Sequence, residues 1–469
     1  MSLIAWYPLN GDTKDYSGNN YHLTVKNTGT ITLEESGKIG KCYKRPYIGE
    51  KCYLGTNKNI NIYGSHSMFA WVNIHGIAST GSANGIITNH NHNSLPTGTG
   101  ITIKAVNDST FKISCNTAHE DGSRSYYTHA GSTNMSLNTW YHLGLTYCDS
   151  TGILRLYVNG QLDGEFNFKN NKLVFKEDIL AIFAWSTGYL TNGEYRPSCS
   201  INDVRIYNHE ISKKEIKDIY STKILHYKFN NENDLEDTSG YRNSLNCDKL
   251  SEPEWSNDSK LGSGSYYFDN TQLSSNGSYK TFYSNNPVFI PEEGTLMFWY
   301  KFPDSQNTQN LYPVGWNGFC TIAKINSNSS MGLNYNTGTS DESVHTSNAN
   351  TNLFNNEWSL YSITWKNGSH IKLYKNDLLV HQFNDTKNMA YVNSFKQFKI
   401  GSALSNSYGG VTGNIDDVRA YATELTLEDI TDIYKVRAKI EESGNFYINE
   451  LIHVDSYNNS DLGGMNNDF

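Results

Sequence analysis

The chain repeats itself, and this duplication constrains its fold more than any other feature of the sequence. Residues 201–207 (INDVRIY) recur as residues 415–421 (IDDVRAY), and the match continues without a gap for twenty residues, of which ten are identical. WYPLN and DYSG within residues 6–18 correspond in the same order to HYKFN and DTSG within residues 226–240. The sequence therefore predicts two homologous domains, at 1–222 and 223–436, followed by a segment at 437–469.

Each copy has the pattern of an antiparallel β protein. Residues 141–147 and 153–158 alternate in polarity, and Asn159-Gly160 is a strong signal for a two-residue hairpin turn. The second copy has corresponding turn signals at Asn367-Gly368 and Asn376-Asp377. Many short strands with polar turns over about 215 residues predict one large sandwich or barrel in each copy.

One short helix is predicted to close each copy. Ser212 with Glu215, and Thr426 with Asp429, have the spacing of a capping box, and apolar residues flank both boxes. Beyond residue 436 the sequence favours one hairpin, with strands at 438–440 and 446–452, and then a polar tail. This last segment is expected to lead to a further domain or an assembly partner.

Charge and hydropathy exclude some classes of protein. The net charge is −9 with a pI near 5.9, and the sequence has no dense Lys/Arg block of the kind that neutralises phosphates. No run of 18 or more apolar residues is present, and the N-terminus lacks the pattern of a secretory signal. We therefore expect no nucleic-acid binding, no membrane span and no export through a signal peptide.

The seven cysteines are odd in number and scattered, without a C-x-x-C pair. This supports neither a zinc site nor a disulfide framework, and predicts small buried thiols in a reduced chain.

The two copies resemble the laminin-G-like domains of the concanavalin A-like lectin/glucanase superfamily. The resemblance rests on the WYPLNGD opening, the WYHLGLTY strand at 140–147, LYVNG at 156–160 and the closing IDDVRxY with its helix. It covers residues 3–436 and implies an all-β chain of two tandem concanavalin A-like jelly-roll sandwiches. In such sandwiches the ligand usually binds on the concave sheet or on its rim loops. Calcium is known in the family, but the sequence assigns no ligands for it.

Pairs of such domains are similar to receptor-binding parts of phage tail fibres and of phage-tail-like bacteriocins. This resemblance implies a non-catalytic adhesion module in a virion or tail-like particle, released by lysis. Its expected partner is a glycan or a surface-layer protein of a bacterial cell. Other tail or baseplate subunits would bind through the C-terminal region, and a homotrimer is one expected assembly. A bacterial cell-surface adhesin is an alternative.

An enzyme is the other alternative. Glu232, Asp234 and Glu236 match the E-x-D-x-E pattern of glucanases in the same superfamily, in which alternating carboxylates on a strand serve as nucleophile and acid/base. The segment lies between the opening strand and the DTSG turn, is flanked by Asn and is inserted relative to the first copy. A loop of solvated acids is therefore the favoured interpretation.

Three further motifs have both a functional and a structural interpretation. Asp203 with Arg205, and the repeated pair 417 and 419, would line a binding surface or form structural ion pairs, and their repetition favours ion pairs. The residues at 15 and 237 precede Ser-Gly and predict turn hydrogen bonds. His90 and His92 could hold a metal, but without a nearby acidic or Cys partner a turn is favoured.

Aromatic residues are predicted in two settings. Five tryptophans at repeat-matched or strand positions are assigned to the cores: Trp6, Trp71, Trp140, Trp299 and Trp358. Eight residues in or next to polar loops are the predicted ligand-binding residues: Trp185, Tyr189, Tyr195, Tyr126, Tyr127, His129, Trp316 and Phe319. Exposed rings of this kind stack on sugars or anchor protein contacts, although loop aromatics also plug the ends of domains.

Ligand choice is expected in the loops that differ between the copies, because the matching residues are explained by the shared fold. These loops span residues 75–98, 120–132 and 185–196 in the first copy, and 304–319 and 402–411 in the second. Alanine at Trp185, Tyr189 or Trp316 is predicted to weaken binding by about 1–3 kcal/mol if these residues are anchors.

Overall fold

The computed structural model divides into two compact units, Met1–Tyr220 (unit 1) and Ser221–Phe469 (unit 2). Strands make up 49% of the residues and helices 6%, so the all-β prediction is confirmed. The structure describes residues 2–77, 83–91, 96–119, 126–187, 196–272, 277–302, 310–324, 330–346, 353–354, 356–384, 386–403 and 409–443.

Unit 1 contains two antiparallel eight-stranded sheets. The first has the order β14-β13-β12-β6-β16-β4-β3 with β1 also on β16, and the second has the order β10-β9-β8-β7-β15-β5-β2 with β11 also on β9. The strands are β1 (Leu3–Tyr7), β2 (Leu23–Lys26), β3 (Thr32–Glu34), β4 (Cys42–Arg45), β5 (Tyr53–Thr56), β6 (His66–Gly76), β7 (Ala83–Thr88), β8 (Thr99–Ala105), β9 (Thr110–Ala118), β10 (Tyr126–Ala130), β11 (Met135–Ser136), β12 (Trp140–Cys148), β13 (Ile153–Val158), β14 (Gln161–Asn167), β15 (Ala181–Ile182) and β16 (Ser198–Tyr207).

Unit 2 repeats the main strand order of both sheets and differs in its additional short strands. Its first sheet has the order β31-β30-β29-β23-β34-β20-β19 with β17 on β34, its second has the order β28-β27-β26-β25-β33-β21-β18 with β24 on β26, and β22 pairs with β32. The strands are β17 (Lys223–Tyr227), β18 (Leu245–Asn246), β19 (Glu254–Ser256), β20 (Ser265–Phe268), β21 (Phe282–Ser284), β22 (Val288–Ile290), β23 (Glu293–Lys301), β24 (Asn310–Leu311), β25 (Val314–Trp316), β26 (Phe319–Lys324), β27 (Ser330–Asn336), β28 (Asp341–His345), β29 (Ser359–Lys366), β30 (His370–Lys375), β31 (Leu378–Asn384), β32 (Ser394–Lys396), β33 (Phe398–Ile400) and β34 (Gly413–Tyr421).

The core of unit 1 lies between its two sheets, because alternate residues of each strand face inward. Met68, Ala70 and Val72 of β6 pack in the same cluster as Ile101 and Ile103 of β8. The predicted hairpins form as expected: in unit 1, Asn159 and Gly160 have φ values of 50° and 75° between the paired residues Val158 and Gln161.

One helix packs on the outward face of the first sheet in each unit: α1 (Lys213–Ser221) and α2 (Leu427–Ser443). Both predicted capping boxes are present. The N–H of Ser212 donates to the Glu215 carboxylate at 2.6 Å, and the N–H of Thr426 donates to the Asp429 carboxylate at 2.8 Å. Ile216 of α1 is buried against Phe69, so each box sets the start of a helix whose apolar face covers the sheet.

The predicted Asp–Arg ion pairs occupy a bulge in the closing strand of each unit. The Asp203 carboxylate lies 3.1 Å from Nε of Arg205 and accepts the Trp6 indole N–H at 2.7 Å. In unit 2 the Asp417–Arg419 pair is 2.8 Å apart. Both aspartates have positive φ, 50° and 47°, and both are buried. The repeated Asp–Arg pair therefore has a structural role in both units.

The DxSG turns also form as predicted. Asp15 accepts hydrogen bonds from the N–H groups of Trp6, Ser17 and Tyr21. In unit 2 the repeated carboxylate at 237 accepts from the N–H groups of residues 226, 239 and 243. Each carboxylate thus ties the turn to the opening strand of its unit.

Some expectations need correction. The predicted strand at 438–440 is wrong, because α2 continues to Ser443 through a segment rich in Lys, Arg, Ala and Glu, which are strong helix formers. The second strand of that predicted hairpin, 446–452, lies outside the described residues. Trp6, Trp71 and Trp299 are buried, as predicted, but Trp140 and Trp358 are only partly buried.

All seven cysteines are free, and five of them are buried, which agrees with the predicted reduced thiols. Within the described ranges, no helix is long and apolar enough to cross a membrane.

Candidate functional site

The outward face of the second sheet has an asparagine at the same position in both units. Because Ile113 and Cys115 of β9 face the core, the alternation of the strand turns Asn116 outward. Asn116 lies opposite Gly100 on β8 and opposite residue 128 on β10. The Thr128 hydroxyl donates to the Asn116 side-chain oxygen at 3.3 Å.

Unit 2 has the same cross-strand pair. Asn334 on β27 lies opposite Cys320 on β26 and Ser343 on β28, and its side-chain nitrogen donates to the Ser343 hydroxyl at 3.0 Å. Asn116 and Asn334 are both buried. An amide and a hydroxyl, each able to donate and accept, therefore recur at one position of this polar face.

In unit 1 a segment leading to Trp185 crosses this face closely. A Cβ on Gly85 would lie 2.1 Å from the Cα of Trp185, so only glycine allows the approach. The Trp185 carbonyl oxygen lies 3.5 Å from the Asn116 amide nitrogen, and its ring meets the His90 ring edge-on at 6.3 Å. Trp185, predicted from its polar loop, is thus brought against the asparagine of the outward face.

The far side of this segment is tied down by Asp178. The Thr187 hydroxyl and the Asn91 amide both donate to the Asp178 carboxylate, at 2.6 and 2.9 Å. The N–H of Thr187 also donates to the His90 carbonyl oxygen at 2.8 Å. Trp185 therefore sits between two anchored points of the chain, which fixes its backbone before any ligand arrives.

Two buried arginines, here called the arginine brace, join the same region to the rim of the sandwich. Nε and Nη2 of Arg45 donate to the carbonyl oxygen of Pro197, at 3.2 and 2.6 Å, and Nη1 donates to that of Phe183. Arg196 donates to the carbonyl oxygen of Lys51 at 2.6 Å. Among the described residues no carboxylate forms an ion pair with Arg45.

Burial lowers the pKa of both guanidinium groups, and that of Arg196 falls to about 10 through burial and the charge of Arg45. Removing such cations from water costs several kcal/mol unless hydrogen bonds replace the lost hydration. The brace meets this requirement with main-chain oxygens. Its structural effect is to hold three chain segments in one arrangement.

The brace supports a short rim loop at residues 46–51. The Ser198 hydroxyl donates to the Pro46 carbonyl oxygen at 2.7 Å, and the N–H of Gly49 donates to the Arg196 carbonyl oxygen at 3.0 Å. At the tip, Tyr47 and Ile48 are 62% and 50% exposed. A rigid loop that presents an aromatic and an aliphatic side chain to solvent has the properties of a binding anchor.

Sequence reasoning missed the rim loop and the two asparagines. One signal was available for the loop: Tyr47 and Ile48 are apolar residues between Pro46 and Gly49, two residues that favour a turn. The asparagines gave no such signal, because their equivalence depends on the strand register rather than on matching sequence.

The other predicted ligand-binding residues of unit 1 are only partly described. Tyr189 and Tyr195 lie outside the described residues. Tyr126 and Tyr127 lie in β10 and pair through their backbone with residues 118 and 117 of β9, and their side chains are not described. His129 also lies in β10.

The His129 ring is packed against aromatic neighbours at the sheet edge. Its centroid lies 4.9 Å from those of both Phe166 and Phe168. Burial, followed by the nearby His119, lowers the pKa of His129 to about 4. The imidazole is therefore neutral at physiological pH and contributes mainly packing.

The prediction that Trp316 and Phe319 are exposed loop rings is wrong. Both are fully buried, and they pair across the hairpin between β25 and β26. Their rings pack on Trp365 at centroid distances of 6.1 and 5.1 Å. Asn317-Gly318, which looked like loop sequence, is the two-residue turn of this hairpin, so the rings on either side belong to the core.

The glucanase-like acids do not form a strand-based pair. Glu232, Asp234 and Glu236 lie in the loop after β17, with Glu232 and Glu236 exposed. Glu236 accepts a hydrogen bond from the Ser244 hydroxyl at 2.7 Å. The prediction of a loop of solvated acids is thus confirmed, and the alternation of catalytic carboxylates along one strand is absent from this segment.

No group of three His, Cys, Asp or Glu side chains with the arrangement of a metal site occurs in the described part of the chain. His90 is buried beside Trp185, and His92 lies outside the described residues.

A family model described as the concanavalin A-like lectin/glucanases superfamily, of laminin G type, matches residues 50–217 and again 274–431. The two matches cover more than half of the chain and fall in the two units. The chain therefore belongs to this superfamily, as the resemblance predicted. No curated protein sequence matches the chain.

Several solved structures are similar. Domain 4 of AbnA, a GH43 extracellular arabinanase from Geobacillus stearothermophilus in complex with arabinotriose, is 19% identical over 47% of this chain and 98% of that chain, with a TM-score of 0.35. The binding domain of Paraclostridial Mosquitocidal Protein 1 is 14% identical over 74% and 91%, with a TM-score of 0.38. The receptor binding domain of botulinum neurotoxin D is 14% identical over 91% and 98%, with a TM-score of 0.37. These scores are too low to support any argument about a ligand.

Proposed function

We propose that the chain is a non-catalytic adhesion module and that unit 1 binds a glycan on a bacterial cell surface. The observation that carries this proposal is the rim loop: Tyr47 and Ile48 are exposed at its tip, while the arginine brace holds its base. A ring on a loop whose backbone is fixed before binding loses less conformational entropy when a sugar stacks on it.

The polar face beside Trp185 supplies the second component of such a site. Thr128 is exposed and offers a hydroxyl group that suits the donors and acceptors of a sugar, and the buried Asn116 orients this hydroxyl through its side-chain oxygen. An apolar platform with a few fixed polar groups is the usual composition of a small-ligand site. Of the predicted loop aromatics, Trp185, Tyr189 and Tyr195 stay proposed contacts.

Binding without catalysis is favoured by the position of the acids. The E-x-D-x-E segment is a loop, and its Glu232 side chain is exposed. A hydrolase needs two carboxylates flanking the scissile bond at a fixed separation. If the chain nevertheless released sugar from purified cell wall, Glu232→Gln and Glu236→Gln would identify these acids as the source.

We propose further that the module is the receptor-binding part of a phage or phage-tail-like bacteriocin fibre, as the tandem arrangement of two such sandwiches implied. Recovery of the chain in purified tail particles would support this setting. Recovery only from the envelope of the producing cell would favour an adhesin instead.

The decisive test is binding of the labelled chain to whole target cells, before and after the cells are treated with periodate or with protease. A glycan receptor predicts loss of binding after periodate and retention after protease. The reverse result would make the receptor a surface protein. Binding that survives both treatments unchanged would contradict a specific surface receptor of either class.

A further inference from the structure

One buried position differs between the units in a way that changes its hydrogen-bond chemistry. In unit 1 it is occupied by Asn202, whose side chain joins three segments. Its oxygen accepts the N–H of Ile39 at 2.8 Å, and its amide nitrogen donates to the carbonyl oxygens of Pro8 and Lys41 at 2.7 and 3.0 Å.

Unit 2 has Asp416 at the equivalent position, one residue before the bulge aspartate. Asp416 is fully buried. One carboxyl oxygen, Oδ2, accepts the N–H groups of Lys260 and Leu261 at 3.0 and 2.8 Å, as the Asn202 oxygen accepts that of Ile39. The other oxygen, Oδ1, is buried without a hydrogen-bond partner among the described residues.

Position 416 lacks the hydrogen-bond donor that Asn202 provides in unit 1. The amide of Asn202 provides two N–H groups to main-chain oxygens, whereas an ionised carboxylate can only accept. A protonated carboxyl restores one donor at this place. It also removes the cost of an unpaired charge in the interior.

The surrounding charges favour the neutral form. Asp417 is adjacent in the chain and is itself paired with Arg419 and with His226, at 2.8 Å in each case. The Lys260 ammonium lies over the Trp299 ring, 4.8 Å from its centroid. Within the described residues, no Lys, Arg or His forms an ion pair with Asp416. Burial, followed by the charge of Asp417, raises the pKa of Asp416 well above its usual value.

We propose that Asp416 is held as a neutral acid in folded unit 2, with a proton on Oδ1 that replaces the amide donor of Asn202. Oδ2 ties the segment between β19 and β20, through Lys260 and Leu261, to the closing strand β34. Loss of the proton from Oδ1 would leave a buried carboxylate with one oxygen that has no partner among the described residues. Unit 2 thereby contains a proton-dependent buried position that unit 1 lacks.

The direction of the pH effect follows from the raised pKa. Folded unit 2 holds one more proton than the unfolded chain at pH values between the ordinary Asp pKa, about 3.9, and the folded value. This contribution to stability is complete below the ordinary value and is lost as the pH rises. In that window the folding equilibrium constant falls about tenfold per pH unit.

The neighbouring His226 acts in the opposite direction, because burial lowers its pKa to about 3. Its contribution is complete above the unfolded value of about 6.5 and is lost as the pH falls. The variants Asp416→Asn and Asn202→Asp both retain His226. A difference in pH dependence between either variant and wild type therefore reports on the substituted position and not on His226.

The test uses the full chain and three proteins: wild type, Asp416→Asn and the reciprocal Asn202→Asp. Denaturant unfolding of each is followed across the pH range. We expect Asp416→Asn to remove the loss of stability that unit 2 undergoes as the pH rises above about 3.9, and Asn202→Asp to introduce such a loss in unit 1. Infrared spectra at neutral pH should contain a protonated-carboxyl band that is absent from Asp416→Asn.

Two results would overturn the proposal. The first is an Asp416→Asn protein whose stability has the same pH dependence as wild type. The second is a neutral-pH spectrum without the carboxyl band together with stabilisation of wild type, but not of Asp416→Asn, by added potassium or calcium. That outcome would place a cation rather than a proton at Oδ1.

Discussion

At the scale of single residues, the two units show how one framework keeps its structural groups while individual positions change. Asp203 and Asp417 both pair with an arginine two residues later. Their second partner differs, being the Trp6 indole in unit 1 and the His226 imidazole in unit 2. Both units therefore keep the Asp–Arg pair in the bulge, whereas the residue of the opening strand that is hydrogen-bonded to the aspartate differs between them.

Trp316 gives a first prediction at this scale. Because the ring is fully buried among Phe319, Trp365 and Phe398, Trp316→Ala should destabilise unit 2 by about 3–5 kcal/mol. Cell binding measured well below the unfolding midpoint should be unchanged. A variant of normal stability that loses binding would show that Trp316 is a ligand contact after all.

Buried histidines give unit 1 a predicted sensitivity to acid. Burial lowers the pKa of His66 to about 4 and that of His142 to about 3. Both folded values lie below the unfolded value of about 6.5, so their stabilisation is complete above it and is lost as the pH falls.

His142→Phe tests this prediction, because the new ring can keep the packing on Phe69 and Trp71 but cannot bind a proton. Between about pH 7.5 and 4.5, wild type should lose about 2–3 kcal/mol more than the variant, as measured by denaturant unfolding. Parallel pH profiles for the two proteins would contradict a buried neutral His142.

At the scale of secondary structure, the capping boxes are expected to set the stability of the helices. Ser212→Ala and Thr426→Ala should each cost about 1 kcal/mol, because each removes a side chain that accepts an N–H of the first helical turn. Lys213→Ala lies in the same turn of α1 outside the box and serves as the control. Equal effects of Ser212→Ala and Lys213→Ala would contradict the capping role.

Elements with a local signal were predictable from the sequence, and elements defined by long-range pairing were not. The hairpin at Asn159-Gly160 and the start of α1 depend on residues within one turn, and both were confirmed. By contrast, the burial of Trp316 depends on Trp365 and Phe398, which are distant in sequence. Its neighbours Gly315 and Gly318 look like loop residues until the strand pairing is known.

The candidate site was predictable in part. Trp185 was identified from its polar loop, and the structure brings it against Asn116. Tyr47 and Ile48 were missed because the contacts that hold their loop come from Arg45 and Arg196, and from the chain at 183 and 197. No local pattern reports a buried arginine whose partners are main-chain oxygens.

At the scale of the whole molecule, duplication explains why the topology was predictable while the ligand was not. Both units repeat the same strand order, so the matching residues report the fold. Differences such as Asn202 against Asp416, or the short rim loop of unit 1, report what each unit does beyond folding. Superfamily membership includes both lectins and glucanases, so the function depends on these differences.

The measurement that most directly tests the adhesion proposal is calorimetric titration of the chain with purified target-cell wall polysaccharide. It compares wild type, Tyr47→Ala and a matched control, Tyr63→Ala, which removes another exposed tyrosine of unit 1. We predict saturable binding without sugar release. Tyr47→Ala should weaken it by about 1–3 kcal/mol, and Tyr63→Ala should leave it unchanged. Equal affinities for all three proteins, or release of sugar by wild type, would contradict a non-catalytic glycan site at the rim loop.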